Sequence, residues 1–332
     1  MRNEQADADS RIRASVVICT HNPRKAYLGR VFEALKAQTV LAHEWELIVV
    51  DNASDEPVAS QWALSWHPAA RHIREPQLGV AYARQRAIVE SCAPLIVFVD
   101  DDNVLAADYL ERAIRIADTC EHLDVWGSGS ISPEFEVEPP AHIRPLIPFL
   151  AIRDAQRPVW CNSAAFTDAT PVGAGMCLRR RVGKAYVEHA RHSAIEIGSL
   201  KGASLEGHED YEICFLACND ARGMGIFPEL KITHLIPGHR VTEAYMTRLV
   251  ESRTYSHLVL LYKWNGWLPR TPFSLHGAAS FCLNLFRRHG YDRHIYLAEL
   301  RTVIAARRRF RDDMQANEIE RQSRPSLSTS AK

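Results

Sequence analysis

Apolar runs that end in polar or acidic residues recur along the first hundred positions of the chain. Short runs rich in Val and Ile are typical of strands, and the stretches between them place apolar residues at helical spacing. The predicted strands are Ala14–Thr20, Glu46–Val50, Arg71–Arg74 and Leu95–Val99, and the predicted helices are Leu28–Gln38 and Gly79–Cys92. This alternation predicts an α/β fold with a doubly wound, mostly parallel sheet and right-handed crossovers.

The apolar pattern weakens in the middle of the chain and becomes helical towards its end. Prolines interrupt the pattern between Ser128 and Thr170, and we expect a strand pair formed by Val159–Ala164 and Gly173–Leu178. Further on, the expected elements are a loop at Arg191–Gly207 and helices at Asp210–Ala217, 241–264 and 291–322. The expected domains are a polar tail (1–13), an α/β domain (14–240), a helical C-terminal extension (241–322) and a disordered tail (323–332).

Composition excludes several classes of protein. The 332 residues carry no formal net charge, which argues against a nucleic-acid-binding protein that relies on basicity. The N-terminus lacks the apolar core of a signal peptide, and no run approaches the ~18 apolar residues of a membrane span. The eight cysteines are scattered, and no pair of Cys or His accompanies Cys214 and Cys218 at zinc-finger spacing, so structural zinc is not expected. This usage predicts a reducing compartment and a cytoplasmic protein.

Three consecutive carboxylates, Asp100, Asp101 and Asp102, follow the apolar strand Leu95–Val99 directly. The carboxyl ends of such strands are where open α/β sheets bind their ligands. Crowded like charges are costly unless a cation or strong donors offset them, and carboxylate oxygens suit Mg²⁺ or Mn²⁺. The alternative is a solvated acidic turn that caps a helix from Ala106 onward.

Polar residues also end the first two strands. His21 and Asn22 follow the first strand, and Asp51 and Asn52 follow the second. Because the carboxyl ends of parallel strands meet at one edge of a sheet, we expect these residues to face the triple Asp across one crevice. The alternative for Asn52 is an Asx turn that closes the strand.

Several of these segments together resemble the family 2 glycosyltransferases, which have the GT-A fold and a DxD-type acidic motif. The matching segments are Val16–Asn22, Glu46–Ser54, Gly79–Arg84, Phe98–Asp102 and the pair Glu209-Asp210. They occur in the family's order over residues 14–240, whereas residues 241–332 match only loosely. The resemblance implies an inverting, metal-dependent transfer of one sugar from a nucleotide-diphosphate sugar to an acceptor hydroxyl.

The resemblance also implies which residues hold the cation, Mn²⁺ or Mg²⁺. Asp102 would contact the metal directly, and Asp100 and Asp101 would hold the donor's ribose or metal-bound water, with Asp100 as a further candidate ligand. Some members place a histidine where His234 stands as an additional ligand; a structural histidine at a strand end is the alternative.

Donor binding is implied for a second group of residues. Thr20 and Asn22, with His21, would line the base and ribose pocket, and Asp51 and Asn52 would recognise the nucleobase. Many members have Asp where this chain has Asn52, and an amide is able to serve more than one base, so the donor's base stays open. Arg84 would donate to base or diphosphate oxygens; a solvated surface arginine is its alternative.

Glu209 and Asp210 open a predicted helix, whose N-terminus favours an ionised carboxylate. The resemblance implies that Asp210 is the general base and that Glu209 binds acceptor, whereas helix capping without chemistry is the alternative. The Gln-x-x-Arg-Trp pattern of processive synthases is absent, which favours a single transfer. The acceptor would be a glycan, a lipid-linked glycan or a small molecule, in polysaccharide, glycolipid or glycoconjugate synthesis.

Two other functions compete with this interpretation. A nucleotidyltransferase shares such a sheet and acidic site, but it usually has a Gly-rich basic loop where this chain has Thr20-His21-Asn22-Pro23-Arg24. A non-catalytic nucleotide-binding protein of the same fold would not need both Asp102 and Asp210.

The C-terminal part is basic, with 15 Lys and Arg against 8 Asp and Glu over residues 241–332. The helix predicted over 291–322 carries Arg301, Arg307, Arg308, Arg309 and Arg311 beside an apolar stripe of Ile295, Leu297, Leu300, Ile304 and Phe310. This pattern predicts peripheral contact with anionic lipid at the inner face of the membrane. Packing of the stripe on the α/β domain, or a contact between two copies of the chain in a homodimer, is the alternative.

Overall fold

The computed structural model describes residues 12–192, 207, 209–219, 222–266 and 282–323. The chain divides into two compact units, Met1–Met246 and Thr247–Lys332. The domain boundaries expected from the sequence stay predictions.

The strands of the first unit form one sheet. They are β1 (Ala14–Thr20), β2 (Trp45–Asn52), β3 (Ala70–Glu75), β4 (Leu95–Val99), β5 (Asn103–Leu105), β6 (Leu123–Phe135), β7 (Arg153–Asp154), β8 (Val159–Cys161), β9 (Cys177–Arg179) and β10 (Gly223–Ile236). Their order is β3-β2-β1-β4-β9-β6-β10-β5, with β7 on β6 and β8 on β10. The longest pairings, β1 with β2 and β4, β2 with β3 and β6 with β10, are parallel, and the short pairings are antiparallel.

The helices of the described chain are α1 (Lys25–Lys36), α2 (Val58–Gln61), α3 (Val80–Glu90), α4 (Tyr109–Thr119), α5 (Arg180–His192), α6 (Glu209–Ala217), α7 (Glu243–Asn265), α8 (282–287) and α9 (Gly290–Ser323). Short 3₁₀ helices lie at Ala42–Glu44, Arg144–Leu150 and Gly238–Val241. None of the helices in these residues is both long and apolar enough to cross a membrane.

Burial explains why the sequence pattern was readable in the first hundred residues. Strands β2 and β4 are buried at every position, as a strand covered on both faces must be. Helix α1 buries Leu28, Val31, Phe32 and Leu35, one stripe at helical spacing, in the same apolar cluster as β1, β2 and β4. The core therefore fixes the strands whose ends carry the polar residues of interest.

The fold class predicted from the sequence is confirmed: the protein is a mixed α/β structure with a mostly parallel sheet, GT-A-like, and a helical C-terminal part. The early strands and helices lie within a few residues of their predicted positions.

The predicted strand pair in the middle of the chain is wrong. Strands form inside Val159–Ala164 and at the end of Gly173–Leu178, but β8 pairs with β10, and β9 lies between β4 and β6. The backbone groups along the facing edges of β4 and β6 need hydrogen-bond partners, and β9 provides them by lying between the two strands. These pairings form instead of the local hairpin between β8 and β9. The pattern also missed β6, because its Gly, Ser and Pro residues interrupt the apolar run.

Two sequence expectations fall largely outside the described residues. The loop expected at Arg191–Gly207 retains only its first two residues, which end α5, and Gly207. The tail expected to be disordered retains only Ser323, which ends α9.

The second unit is helical in the part described. In the predicted stripe of α9, Ile295 and Phe310 are buried, and the Phe310 ring stacks on that of Tyr262 in α7 at 4.6 Å between centroids. The arginines of α9 contact α7 as well: Arg309 donates to the Tyr255 hydroxyl and Arg301 lies 3.8 Å from the Glu251 carboxylate. Membrane contact and a homodimer stay predictions.

Candidate active site

The candidate site lies where parallel strands end at one edge of the sheet. Thr20 ends β1, Asn52 ends β2, and the triple Asp follows β4. The contacts confirm that these tips are neighbours: Thr20 Oγ1 donates to Asp101 Oδ2, and His21 Nδ1 lies 2.9 Å from the Asn52 carbonyl oxygen. The expected crevice therefore gathers the ends of three separate strands.

The pairing of β5 with β10 brings β10 next to residues 100–102, which we call the acidic turn. The turn from β4 to β5 is closed by a hydrogen bond from Asn103 N to Asp100 O (3.0 Å), and β5 then pairs with β10 so that Asn103 stands opposite His234. Leu235 N also donates to Asp102 O (2.8 Å). These backbone contacts place His234, distant in sequence, beside Asp102.

The Asp102 carboxylate is the point where Arg240 and His234 converge. Its Oδ2 accepts a hydrogen bond from Arg240 Nη1 (2.9 Å) and lies 3.3 Å from His234 Nε2, while Oδ1 accepts from Asn103 Nδ2 (2.7 Å). Burial opposes ionisation, but His234 and Arg240 hold the pKa of Asp102 below its ordinary value. Asp102 is therefore the carboxylate of the acidic turn whose ionised form its neighbours stabilise most.

The other two carboxylates have different environments. Burial and the charge of Asp102 raise the pKa of Asp101, although the hydrogen bond from Thr20 opposes this shift. The Asp100 side chain is 40 % exposed, and its Oδ1 lies 3.5 Å from Arg84 Nη2. Asp100 is therefore paired with Arg84, whereas the direct side-chain partner of Asp101 is the uncharged Thr20 hydroxyl.

The chemistry of these side chains fits a divalent cation with few protein ligands. Asp102 offers a carboxylate oxygen, His234 an imidazole nitrogen, and the buried Nδ1 of His234 has no hydrogen-bond partner in the described structure. Among the described residues, no three Cys, His, Asp or Glu side chains form a complete metal site. One or two carboxylates together with substrate phosphates is a common arrangement for Mg²⁺, so the donor types of Asp102 and His234 suit such an ion. Arg240 Nη1 lies 2.9 Å from Asp102 Oδ2 and 3.3 Å from His234 Nε2, so a guanidinium nitrogen stands between these two side chains, and cation binding stays a prediction.

Asp51 and Asn52, predicted to recognise the base, are both buried and bonded to protein. Asp51 accepts from the backbone of Ser54 (2.9 Å) and Val58 (3.1 Å) and from Arg74 Nη1 (2.8 Å). Asn52 Oδ1 accepts from Gly79 N (2.7 Å), and Nδ2 donates to the carbonyl oxygens of residues 77 (2.7 Å) and 75 (3.3 Å). These contacts shape the two loops beside the crevice, and base recognition stays a prediction.

The loop after β1 is held by reciprocal contacts with the loop after β2. Asn22 has a left-handed backbone with φ +50°, which Asn tolerates better than most residues. Its N–H donates to Ser54 Oγ (2.9 Å) and its Oδ1 accepts from Asp55 N (2.9 Å). The segment that carries His21 is therefore fixed at the mouth of the crevice.

Arg84 lies inside the protein, so the alternative of a solvated surface arginine is wrong. Its side chain is 6 % exposed, and Nη1 donates to Glu209 Oε1 at 2.8 Å while Nη2 faces Asp100. The guanidinium carbon also lies 5.1 Å from the centroid of the Phe98 ring. Arg84 thus links the acidic turn to the start of α6.

Glu209 and Asp210 open α6, as the sequence predicted. Glu209 is buried; burial raises its pKa, the charge of Arg84 lowers it and Asp210 raises it again, with a net rise. Asp210 is half-buried: its Oδ2 accepts from Gly173 N and its Oδ1 from Tyr211 N, both at 2.9 Å. The structure therefore brings a second pair of carboxylates, on another element, next to the acidic turn through Arg84.

Two residues with contacts in the site were absent from the predicted set. Arg240 donates from Nη1 to Asp102 Oδ2 (2.9 Å) and from Nε to the Tyr245 hydroxyl (3.0 Å). Gly173 holds Asp210 through its backbone. A glycine inside an apolar run often marks a close backbone approach, which was the available signal for Gly173.

A comparison with protein families identifies the domain that carries this edge of the sheet. The family described as glycosyl transferase family 2 matches residues 15–167. The chain carries a family 2 glycosyl transferase domain. The match includes β1 to β4 and the acidic turn, and it confirms the resemblance seen in the sequence. The match supports glycosyl transfer as the class of reaction.

Solved structures similar to this one include three of TarS from S. aureus. The structure of TarS 1–349 has 13% identity and a TM-score of 0.45, covering 91% of this chain and 92% of that chain. TarS 1–349 in complex with UDP-GlcNAc has 13% identity and a TM-score of 0.46, covering 89% and 81%. A longer TarS has 15% identity and a TM-score of 0.44, covering 89% and 49%. At these values the likeness does not bear on function. No curated protein matched the chain significantly.

Proposed function

We propose that this family 2 glycosyl transferase moves one sugar from a nucleoside diphosphate sugar to an acceptor hydroxyl, with inversion at the anomeric carbon and with a divalent cation. The observation that supports this most is the pair of carboxylate groups on either side of Arg84. One is the acidic turn, with Asp102 beside His234; the other is Glu209 and Asp210 at the start of α6.

The donor's diphosphate belongs beside Asp102 in this proposal. Asp102 and His234 would hold Mg²⁺ or Mn²⁺, and the cation would stabilise the negative charge on the departing diphosphate. Arg240, already 2.9 Å from Asp102, adds a fixed positive charge at the same place. Thr20, Asn22, Asp51, Asn52, Asp100 and Asp101 contribute the walls of the base and ribose pocket.

The acceptor's hydroxyl is deprotonated by Asp210. As its proton moves to a carboxylate oxygen of Asp210, the hydroxyl oxygen bonds to the anomeric carbon and the bond from that carbon to the diphosphate oxygen breaks. Asp210 lies at the N-terminus of α6, and its Oδ2 accepts a hydrogen bond from Gly173 N (2.9 Å), which fixes the orientation of the carboxylate. Direct displacement from the opposite face inverts the anomeric configuration.

The acceptor is proposed as a glycan, a lipid-linked glycan or a small molecule at the cytoplasmic side of the membrane. Glu209 was predicted to bind it, but this carboxylate is 7 % exposed and paired with Arg84, so the acceptor reaches Asp210 and Tyr211 more readily. A single transfer for each binding event follows from the missing processive motif.

A binding panel tests the donor class and the cation together. Melting temperatures are measured with UDP, dTDP, GDP, CDP and ADP, and with UDP-GlcNAc as one nucleotide-sugar, each with and without Mn²⁺ or Mg²⁺. We expect one base to stabilise the protein, more strongly with the cation, because a ligand that binds only the folded state raises its stability. Asp102→Asn is the matched control, and in this variant the cation should no longer increase the rise in melting temperature caused by the nucleoside diphosphate.

The same panel decides between the proposal and its competitors. Stabilisation by a nucleoside diphosphate without release of that diphosphate from any nucleotide-sugar, in the presence of either cation, would support a non-catalytic nucleotide-binding protein. Stabilisation by no nucleoside diphosphate under any condition would contradict the proposal.

A further inference from the structure

Arg84 connects three segments that are far apart in the sequence. It projects from α3, its Nη1 donates to Glu209 Oε1 at 2.8 Å, and its Nη2 lies 3.5 Å from Asp100 Oδ1. The side chain is 6 % exposed, so both ends of the guanidinium are already engaged inside the protein. Such a planar, two-ended cation suits a bridge between two carboxylates better than a lysine does.

The third segment is the backbone at Gly173. A Cβ built on Gly173 would lie 2.4 Å from Arg84 Nη2, 3.0 Å from Nη1 and 3.1 Å from Cζ, and these are its three nearest heavy atoms. The guanidinium therefore packs directly on the backbone of a residue that has no room for a side chain. The N–H of that same residue donates to Asp210 Oδ2 at 2.9 Å.

We propose that Arg84 is a positioning residue: through Glu209 and Gly173 it fixes the carboxylate of Asp210 relative to the acidic turn, and it does not bind the donor itself. This inference rests on the proposed function, in which Asp210 is the base. It replaces the donor contact that the family resemblance implied for Arg84.

The proposal follows from how the base is held. Asp210 has one backbone donor outside its own helix, Gly173 N, among the contacts described, and its neighbour Glu209 is tied to Arg84. The Arg84 guanidinium contacts both of the groups that hold Asp210 in place: it donates to Glu209, and it packs on the backbone of Gly173. Loss of Arg84 therefore loosens both, and a displacement of about 1 Å at a reacting group is enough to cost ~100-fold in rate.

Substitutions at Gly173 and Arg84 test this arrangement as a double-mutant cycle. The rate measured is release of nucleoside diphosphate from the nucleotide-sugar, with Mn²⁺ present, and the affinity measured is that for the free nucleoside diphosphate. We expect Gly173→Ala and Arg84→Met each to lower kcat by about 100-fold and to leave the nucleoside diphosphate Kd within about threefold of wild type. Gly29→Ala is the matched control, because its methyl group meets only the Trp62 ring.

The double variant gives the decisive comparison. Because the atoms nearest to a Cβ at Gly173 all belong to Arg84, Gly173→Ala should add little to Arg84→Met, and kcat of the double variant should stay within about threefold of Arg84→Met alone. If the two reductions in kcat instead multiply in the double variant, Gly173→Ala does not act through Arg84, and the proposal is contradicted. A nucleoside diphosphate Kd raised about tenfold or more by Arg84→Met would show that Arg84 binds the donor, and it would overturn the proposal.

Folding is controlled by a variant that removes both buried charges. Arg84→Met leaves Glu209 buried without its partner, whereas Arg84→Met combined with Glu209→Gln does not. We expect that combination to melt near the wild-type temperature with kcat still low; a wild-type kcat would overturn the proposal. Wild-type protein that releases no nucleoside diphosphate from any nucleotide-sugar would contradict the proposed function instead, so the two failures are distinguishable.

Discussion

At the scale of single residues, Asp102 is an acidic side chain that contacts both Arg240 and His234. We expect Asp102→Asn to reduce transfer to less than about a tenth of the wild-type rate, a loss of more than ~1.4 kcal/mol in transition-state stabilisation. The substitution keeps the volume and removes the charge that Arg240 and His234 face. Transfer assays and circular dichroism check it: an active variant with more than a tenth of the rate contradicts the role of Asp102.

His67 gives a prediction for pH dependence. Burial lowers its pKa from 6.5 to about 4, its Nδ1 accepts a hydrogen bond from Ala69 N (3.2 Å), and its ring lies 4.0 Å from that of Trp45. The folded state binds the proton more weakly than the unfolded state, so stability is full above pH 6.5 and falls as pH is lowered towards 4. The loss is at most about 3 kcal/mol.

Urea unfolding of His67→Leu and wild type at several pH values measures this contribution. The wild-type advantage in the free energy of unfolding should shrink as pH falls from 7 to 4, whereas His43→Leu, at an exposed histidine, should show no such trend. A constant difference between wild type and His67→Leu would contradict the buried, neutral histidine.

Sequence reasoning at this scale identified residue types better than their contacts. The triple Asp and the pair Glu209-Asp210 were found because carboxylates after an apolar strand or at the start of a helix form a recognisable pattern in the sequence. The contacts of Asn52 and Arg84 were not, since each depends on loops and helices that only the folded chain brings near. Gly173 had only the weak signal of a glycine in an apolar run.

At the scale of elements, the short strand β9 depends on the glycine that precedes it. Gly175 has φ +68°, and a Cβ there would lie 2.4 Å from both Ile232 Cδ1 and Tyr109 Oη; its carbonyl accepts from that hydroxyl at 2.6 Å. Gly175→Ala should lower the free energy of unfolding by roughly 2–4 kcal/mol, because backbone strain and overpacking add.

Gly266→Ala separates these two contributions. Gly266 has φ +60°, and nothing in the described part of the chain lies within 4 Å of a Cβ built on it, so only strain of about 1–2 kcal/mol should remain. Equal losses in the two variants, measured by urea denaturation, would show that the packing around Gly175 has no energetic consequence.

Elements with a regular apolar pattern were predictable, and those that depend on sheet partners were not. Strand β2 is buried at every position and was found, whereas β6 contains Gly, Ser and Pro and is a strand because β9 and β10 flank it. The pairing of β9 likewise follows from the free edges of β4 and β6. Such non-local demands leave no periodicity to detect.

At the scale of the whole molecule, the helical second unit carries the excess positive charge. We expect the protein to pellet with anionic phosphatidylserine-containing vesicles at low salt and to be released at high salt, because screening weakens charge attraction. Arg308→Gln with Arg311→Gln, at two exposed positions, should weaken pelleting, and neutral vesicles are the control. Absence of pelleting at low salt would leave the packing of α9 on α7, seen at Phe310 and Tyr262, as the role of the stripe.

The two units differ in how far sequence alone explains them. In the first unit, the early strands, the acidic turn and the family resemblance were predicted from motifs between residues 14 and 240, and the family match covers residues 15–167. The order of the strands in the sheet was not predicted. In the second unit, the helices were predicted from the sequence. No motif there indicates which acceptor binds, because the side chains that contact an acceptor follow no fixed sequence pattern.

The central claim is that Asp210 acts on the acceptor while the acidic turn acts on the donor, and one measurement tests it most directly. Asp210→Asn keeps an oxygen for Gly173 N and removes the basic carboxylate. Turnover of a nucleotide-sugar and the nucleoside diphosphate Kd are measured on the same protein. The account predicts that kcat falls by about 10²–10⁴-fold while Kd stays unchanged. A wild-type kcat, or a loss of affinity that matches the loss of rate, would contradict it.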